Sequence, residues 1–308
     1  MHPQVPAAHS STPRLDALHG IFAARHRFSK GLVERSQAAF GETWSGDFER
    51  MLASLFPDDE RLANAAKGYA SFALDSMRRQ KAFESTREYP HKSYAEAASE
   101  VYFNEEHMER EYLPGLLLSH YLWPHHYRQL RFFDTAFLAA LARSERPVFA
   151  EVGIGTALYS RRILEQVATA TGDGYDISPS SCRYAKRHVA AVGASGRYRV
   201  HCGDILAEPI APVPWLVCVE VLEHLEDPVA FLRALRTGLL PGGLGFITAA
   251  VNAAHTDHIY LYGHARDVEL QLTEAGFDIQ QSFAATAFSP PAPGVPVPVA
   301  AAFVVCAS

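Results

Sequence analysis

Glu151, Gly153 and Gly155 fall in the stretch Val148 to Ala157, where an apolar run ends in an acid and then turns through two glycines one residue apart. A strand, a tight glycine turn and a helix N-terminus present backbone N–H groups to a ligand. Glycine suits the turn because it has no Cβ and tolerates positive φ, so the backbone can approach a ligand closely. Asp176 follows about 20 residues later, the spacing at which an acid can accept from two ribose hydroxyls. Capping the next helix is the alternative role for Asp176, although Ser178 before Pro179 is itself a cap. Asp173 is the alternative ribose acid. In Gly203-Asp204-Ile205, the acid can accept from an exocyclic amine while a neighbouring N–H donates to a ring nitrogen, which reads a purine edge. The stretch Cys218 to Pro228 is dense in ionisable groups, among them Glu220, Glu223 and His224. It follows a strand, at the sheet end where open α/β folds bind ligands.

These four segments, in this order, resemble the class I S-adenosylmethionine-dependent methyltransferases, in the branch like the quinone-biosynthesis methyltransferases. The likeness covers residues 147–284 and includes the Leu240-Pro241-Gly242-Gly243 turn and Glu274-Ala275-Gly276-Phe277. The resemblance implies a Rossmann-like, doubly wound α/β sheet of seven strands with the last antiparallel. It also implies S-adenosylmethionine (SAM) as cofactor. Gly153 and Gly155 would face its methionine part, with Glu151 near the ammonium. Asp176 would take the ribose hydroxyls, and Ile177 would lie against adenine. Asp204 and Ile205 would read the adenine edge, and Glu220 would floor the methyl group beside Val221. Where the family often has a third glycine, this chain has Ala157.

Such an enzyme moves a methyl group by in-line displacement, which needs positioning and exclusion of water. The expected acceptor is a small molecule of the secondary-metabolite type. A hydroxyl or activated carbon also needs a base. His224 is the first candidate, because an imidazole titrates near neutrality; bracing its loop is the competing role. Tyr127 and His126 are further candidates. They come from a cluster that also holds Tyr112, His120, Tyr121, Trp123 and His125, side chains that suit either helix packing or a substrate wall. Glu220, Glu223, His224 and His258 are also similar to the metal site of the small-RNA 2′-O-methyltransferases. That likeness gives a metal-assisted O-methyltransferase as an alternative; otherwise no residue is assigned to a metal. The same fold with non-methyl chemistry, a cyclase or decarboxylase, is another alternative. An NAD-dependent oxidoreductase is disfavoured by Leu158, which stands where a dinucleotide fingerprint has its third glycine.

The elements that position these residues divide the chain. Residues 14–143 show apolar residues at helical spacing, in Leu32 to Phe40, Phe48 to Phe56, Leu62 to Met77, Tyr112 to Leu122 and Gln129 to Leu141. This half is expected to be a helical lid or substrate-binding domain, with a surface suited to a homodimer. Residues 144–308 form the expected SAM-binding catalytic domain. Its strands are predicted at Pro147–Val152, Gly172–Ile177, Tyr198–Cys202, Trp215–Glu220, Gly243–Val251, Phe277–Ala284 and Val299–Cys306. Helices are predicted at Leu158–Thr169, Pro179–Val192, Pro228–Gly238 and Ala265–Ala275. This alternation predicts a parallel sheet covered on both faces. Residues 1–13 are polar and expected to be disordered.

Of the 308 residues, 48% are hydrophobic and 20% charged, a soluble globular composition. The net charge of −6, without long like-charge blocks, argues against a nucleic-acid partner, including RNA as methyl acceptor. No run of about 18 apolar residues is present to span a membrane. The four cysteines form no C-x-x-C pair. They are expected to be reduced thiols of a cytoplasmic protein.

Overall fold

In the computed structural model, which describes residues 12–90, 92–292 and 294–307, the first half of the chain is helical. The long helices are α1 (Pro13–Arg25), α2 (Leu32–Leu55) and α3 (Asp59–Thr86). Shorter ones follow: α4 (Tyr94–Ala97), α5 (Glu105–His107), α6 (Leu113–Leu122), α7 (Pro124–Phe132) and α8 (Ala139–Leu141). Of the stretch expected to be disordered, residues 1–11 lie outside the described residues, while Pro13 already opens α1. Proline is well placed there, since its missing N–H is one the first turn leaves unpaired. The two segments predicted at Leu32 to Phe40 and Phe48 to Phe56 belong to one helix, α2, interrupted at Gly41 (φ 71°, ψ −157°).

Wide π-type turns occupy Ala98–Tyr102, Met108–Tyr112 and Phe133–Leu138. The second precedes Pro114, which has no N–H to give the carbonyl four residues back, that of Arg110. Gly68 of α3 lies against that same carbonyl: a Cβ there would stand 2.3 Å from the Arg110 oxygen. Gly115 meets α3 as closely, for its Cβ would stand 2.3 Å from the Phe72 Cβ. Small residues thus let α6 seat on α3 and fix the Phe72 ring.

The second half alternates strand and helix. Its strands are β1 (Val148–Val152), β2 (Thr171–Asp176), β3 (Tyr198–Cys202), β4 (Val213–Cys218), β5 (Leu239–Val251), β6 (Phe277–Thr286) and β7 (Val299–Ala307). Helices α9 (Leu158–Gln166), α10 (Pro179–Ala190), α11 (Pro228–Thr237) and α12 (Ala265–Glu274) connect them. The sheet order is β3-β2-β1-β4-β5-β7-β6, a seven-stranded Rossmann-like sheet. β7 runs antiparallel to both of its neighbours. Strand order reverses between β1 and β4, which opens a crevice at their carboxyl ends.

Boundaries shift where local chemistry dictates. β4 ends at Cys218, before the expected Glu220, because Glu220 takes a left-handed conformation (φ 51°) that leaves the ladder. β5 starts earlier, at Leu239, and its pairing with β4 slips between Val213 and Trp215. Ser178 and Asp227 cap α10 and α11, accepting from the N–H groups of Ser181 and Ala230, with Pro179 and Pro228 beside them.

The helical half shares its core with one face of the sheet. Phe133 meets Phe246 of β5 at 5.0 Å and Tyr159 of α9 at 4.9 Å between ring centroids. Phe133 is fully buried, and burying such a ring is worth about 3 kcal/mol. The buried Arg162 of α9 adds a polar tie, pairing with Asp134 and, at 2.9 Å, with Asp47 of α2.

Candidate functional site

The turn after β1 is built by backbone geometry. Gly153 (φ 71°), Gly155 (φ 44°) and Ala157 (φ 56°) all take positive φ. Ala157 does so at the position where the family often has glycine, and it is fully buried. A left-handed alanine costs about 1 kcal/mol, which the surrounding turn sustains. Gly153 and Ile154 donate to the Tyr175 carbonyl of β2 at 2.9 and 3.2 Å. A Cβ on Gly153 would stand 2.3 Å from the Val221 Cγ2, so the β1 and β4 loops touch through a residue that must be glycine.

Two acids fasten this turn. Asp176 Oδ2 accepts from the Gly155 N–H at 2.9 Å, and its Oδ1 accepts from the Ser178 N–H at 2.8 Å. Enclosure pushes its carboxyl up to about 6, even with both bonds opposing. Glu151 is 2% exposed, and its Oε2 accepts from the Ser160 N–H at 2.8 Å and from the Ser160 hydroxyl. Burial pushes Glu151 up to about 7. Asp204, exposed beyond β3, accepts from the Leu206 N–H at 2.9 Å. Glu151, Gly153, Gly155, Asp176, Ile177, Asp204, Ile205 and Glu220 all border one cavity of about 1020 Å³.

Glu220, past β4, is clipped to β5. Its N–H donates to the Thr248 hydroxyl at 2.9 Å, and that hydroxyl donates to Glu220 Oε1 at 2.6 Å. Glu223 is fully buried, and neither carboxylate oxygen has a hydrogen-bond partner among the described residues, though His224 Nε2 lies 4.0 Å from its Oε1. Burial first, then the Glu220 charge, pushes it well above the usual carboxylate range. His224 Nδ1 lies 3.1 Å from the Asp257 carbonyl oxygen and 3.4 Å from its Oδ2. Asp257 is fully buried in the loop after β5. It also accepts from the Tyr112 hydroxyl at 2.9 Å and faces His255 Nδ1 at 2.7 Å. Burial raises its carboxyl, but His224 and His255 outweigh that and hold it well below the usual range. His258 donates Nδ1–H to the Ala253 carbonyl at 2.7 Å. One ligand atom each from Glu223, His224 and His258 lie within 4.8 Å of one another; Glu220 is not part of that group.

The other base candidates part company. His126 borders the cavity, whereas Tyr127 does not. Tyr127 is 2% exposed, packs on Phe40 at 4.7 Å and leaves its hydroxyl unpartnered among the described residues. Adjacent residues on a helix point about 100° apart, so one faces the cavity and the other the helical core. Tyr127 therefore does not join His224 and His126, contrary to the expectation. Tyr121 too turns inward, stacked on Phe48 at 4.6 Å. Asp257 went unrecognised in the sequence; nothing marks it there except its place beside His258.

Residues 150–244 match the family model of a methyltransferase domain. The ubiquinone biosynthesis O-methyltransferase of Xylella fastidiosa is 35% identical over 99 residues, 32% of this chain and 39% of that protein. The protein of the same name from Xanthomonas axonopodis pv. citri is 33% identical over 99 residues, 32% of this chain and 41% of its own. The chain thus spans about two fifths of the length of these curated relatives. A solved SAM-dependent methyltransferase from Thiobacillus denitrificans, in complex with S-adenosyl-L-homocysteine, is similar at a TM-score of 0.45 and 17% identity, over 59% of this chain and 91% of that one. Residues 150–244 are thus similar to a methyltransferase domain. No helix among the described residues is long and apolar enough to cross a membrane.

Proposed function

We propose that this chain moves a methyl group from SAM to a small-molecule acceptor enclosed between the sheet's carboxyl edge and the helical half. The observation that carries this is the continuity of one cavity from the glycine turn at Gly153 and Gly155 to Trp123, between α6 and α7, and His126 on α7. The site suits the donor. The turn puts no side chain of its own at Gly155, where an added Cβ would meet only Leu116, at 3.5 Å. Asp176 and Asp204 offer acceptors for hydroxyl and amine groups, and Glu151 offers a carboxyl for an ammonium. Bound there, SAM supplies an electrophilic methyl group on a positively charged sulfur.

The chain's own residues supply the rest. The helical half acts as a lid that excludes water and holds the acceptor in line. His224 takes the acceptor's proton on Nε2. Its Nδ1 faces the Asp257 carbonyl and carboxylate, which fixes the hydrogen there and leaves Nε2 bare. Incubation with SAM and candidate acceptors should release S-adenosylhomocysteine one-for-one with methylated product. Calorimetry finding no uptake of either SAM or S-adenosylhomocysteine would overturn the proposal.

A second reading is supported by Glu223, buried without a hydrogen bond to either oxygen among the described residues, beside His224 and His258. His258, with Nδ1 committed to Ala253, leaves Nε2 bare, the arrangement that orients imidazole ligands. A divalent cation held there would lower the pKa of an acceptor hydroxyl. Metal analysis of purified protein and turnover in chelator decide it: no ion, and unchanged turnover, remove this reading.

A further inference from the structure

Two groups of imidazoles face the cavity from opposite halves of the chain, and their surroundings differ. His224 and His255 lie against the Asp257 carboxylate. His120, His125 and His126 lie against one another instead, with ring centroids 5.3 Å apart for His120 and His126 and 4.4 Å for His125 and His126. Local bonds assign the hydrogens of His120 and His126. His120 Nδ1 is 2.9 Å from the Leu116 carbonyl oxygen, so that nitrogen carries the hydrogen and donates. Ser119 gives its one hydroxyl hydrogen to the same carbonyl, at 2.7 Å. With that hydrogen on the carbonyl, the Ser119 oxygen 3.0 Å from His126 Nδ1 is left to accept, which assigns the His126 hydrogen to Nδ1. A neutral imidazole with Nδ1–H has a bare Nε2.

Burial keeps these rings neutral: His120 and His125 are pushed down to about 4, and His126 further. His125 is 8% exposed, and its buried Nδ1 has no partner among the described residues. A buried polar atom left so is costly, and a ligand group in contact with it removes the cost. Aromatic faces link the two groups. Trp123 lies 4.9 Å from His126 and 5.7 Å from Phe72, and Phe72 lies 5.0 Å from His255. Among the described side chains bordering the cavity, eight are Asp or Glu, and Lys81 is the one Lys or Arg. Burial pushes Glu151 and Glu223 toward the neutral form, yet the other acids still outnumber the one cation, and their field repels an anionic ligand.

We infer that His120, His125 and His126 form a recognition subsite for a hydroxyl group remote from the reacting one. The acceptor is then an uncharged aromatic molecule with hydroxyls at both ends, its body lying on Trp123 and Phe72. Naming it an acceptor rests on the proposed methyl transfer; the binding preference does not.

The probes are para,para′-biphenyldiol, the corresponding mono-ol, and that mono-ol carrying a carboxylate at its far end. Each is titrated by calorimetry with and without S-adenosylhomocysteine. The diol should bind about tenfold more tightly than the mono-ol, with the carboxylate weakest, since the far hydroxyl satisfies buried acceptors. His126→Phe should erase the preference for the diol, and His126→Gln, whose amide oxygen can stand in for Nε2, should restore it. Equal affinity of diol and mono-ol for the natural chain, tightest binding of the carboxylate, or an unchanged preference in His126→Phe would each overturn the inference. The natural-chain comparison stands whether or not the variants fold. Failure of S-adenosylhomocysteine to bind would defeat the methyltransferase proposal alone, since the diol preference is also read without it.

Discussion

Asp176 Oδ2 accepts the Gly155 N–H at 2.9 Å, so the acid that ends β2 clamps the turn that follows β1. Its other oxygen holds the Ser178 N–H, at the start of α10. Ribose binding and helix positioning, which look like alternatives in the sequence, are compatible for one carboxylate, because each oxygen carries two lone pairs.

Asp176→Ala should therefore act twice. Two backbone N–H groups lose their acceptor, at a cost of about 1–3 kcal/mol in unfolding free energy. S-adenosylhomocysteine affinity should fall by about tenfold or more. Denaturant unfolding and calorimetry measure the two effects separately, and unchanged affinity would take Asp176 out of the cofactor site.

Gly153→Ala should destabilise by about 1–3 kcal/mol, from the positive φ alone. The new Cβ also meets Val221 Cγ2 at 2.3 Å. Adding Val221→Ala should recover part of the loss. A double-mutant cycle by thermal unfolding reads the coupling, and strict additivity would contradict the contact.

Glu151 gives a pH dependence of definite sign. Its folded carboxyl titrates at about 7, against an ordinary 4.5. Between those values the unfolded chain has released the proton and the folded chain has not, so stability falls as pH rises through this window. The loss is on the order of 3 kcal/mol and is complete above the folded value. Asp176 contributes with the same sign between 3.8 and about 6. In Glu151→Gln the decline should shrink and end at lower pH; an unchanged profile of unfolding temperature against pH would refute the assignment.

His224→Ala should lower turnover about a hundredfold to ten-thousandfold, the range of a lost general base. Affinity for S-adenosylhomocysteine should hold. Unaltered turnover would place the base elsewhere.

Much of the donor side is legible along the chain because each strand hands its loop to the same sheet edge. Glu151 and Asp176 lie at the carboxyl ends of β1 and β2, Asp204 and Glu220 just past β3 and β4, and strand order alone brings them to one rim. The acceptor side is not local in this way. His126 and Tyr127 are neighbours in sequence, yet helical phase turns them to different surroundings. Asp257 gathers its loop neighbour His255 with His224 and Tyr112 from two other stretches of chain, a convergence that exists only once the helices have packed. Likewise, the wide turn before Pro114 sets the phase of α6, and periodicity alone does not reveal it.

One backbone oxygen, that of Leu116, sets the proton on His120 directly and on His126 by way of Ser119. The Leu116 side chain also borders the glycine turn, 3.5 Å from where a Cβ on Gly155 would stand. A lineage drifting toward a new acceptor cannot retune these two rings singly. It must remodel that turn of helix, and the change is felt at once where the donor is gripped, so substrate range and donor affinity are inherited together.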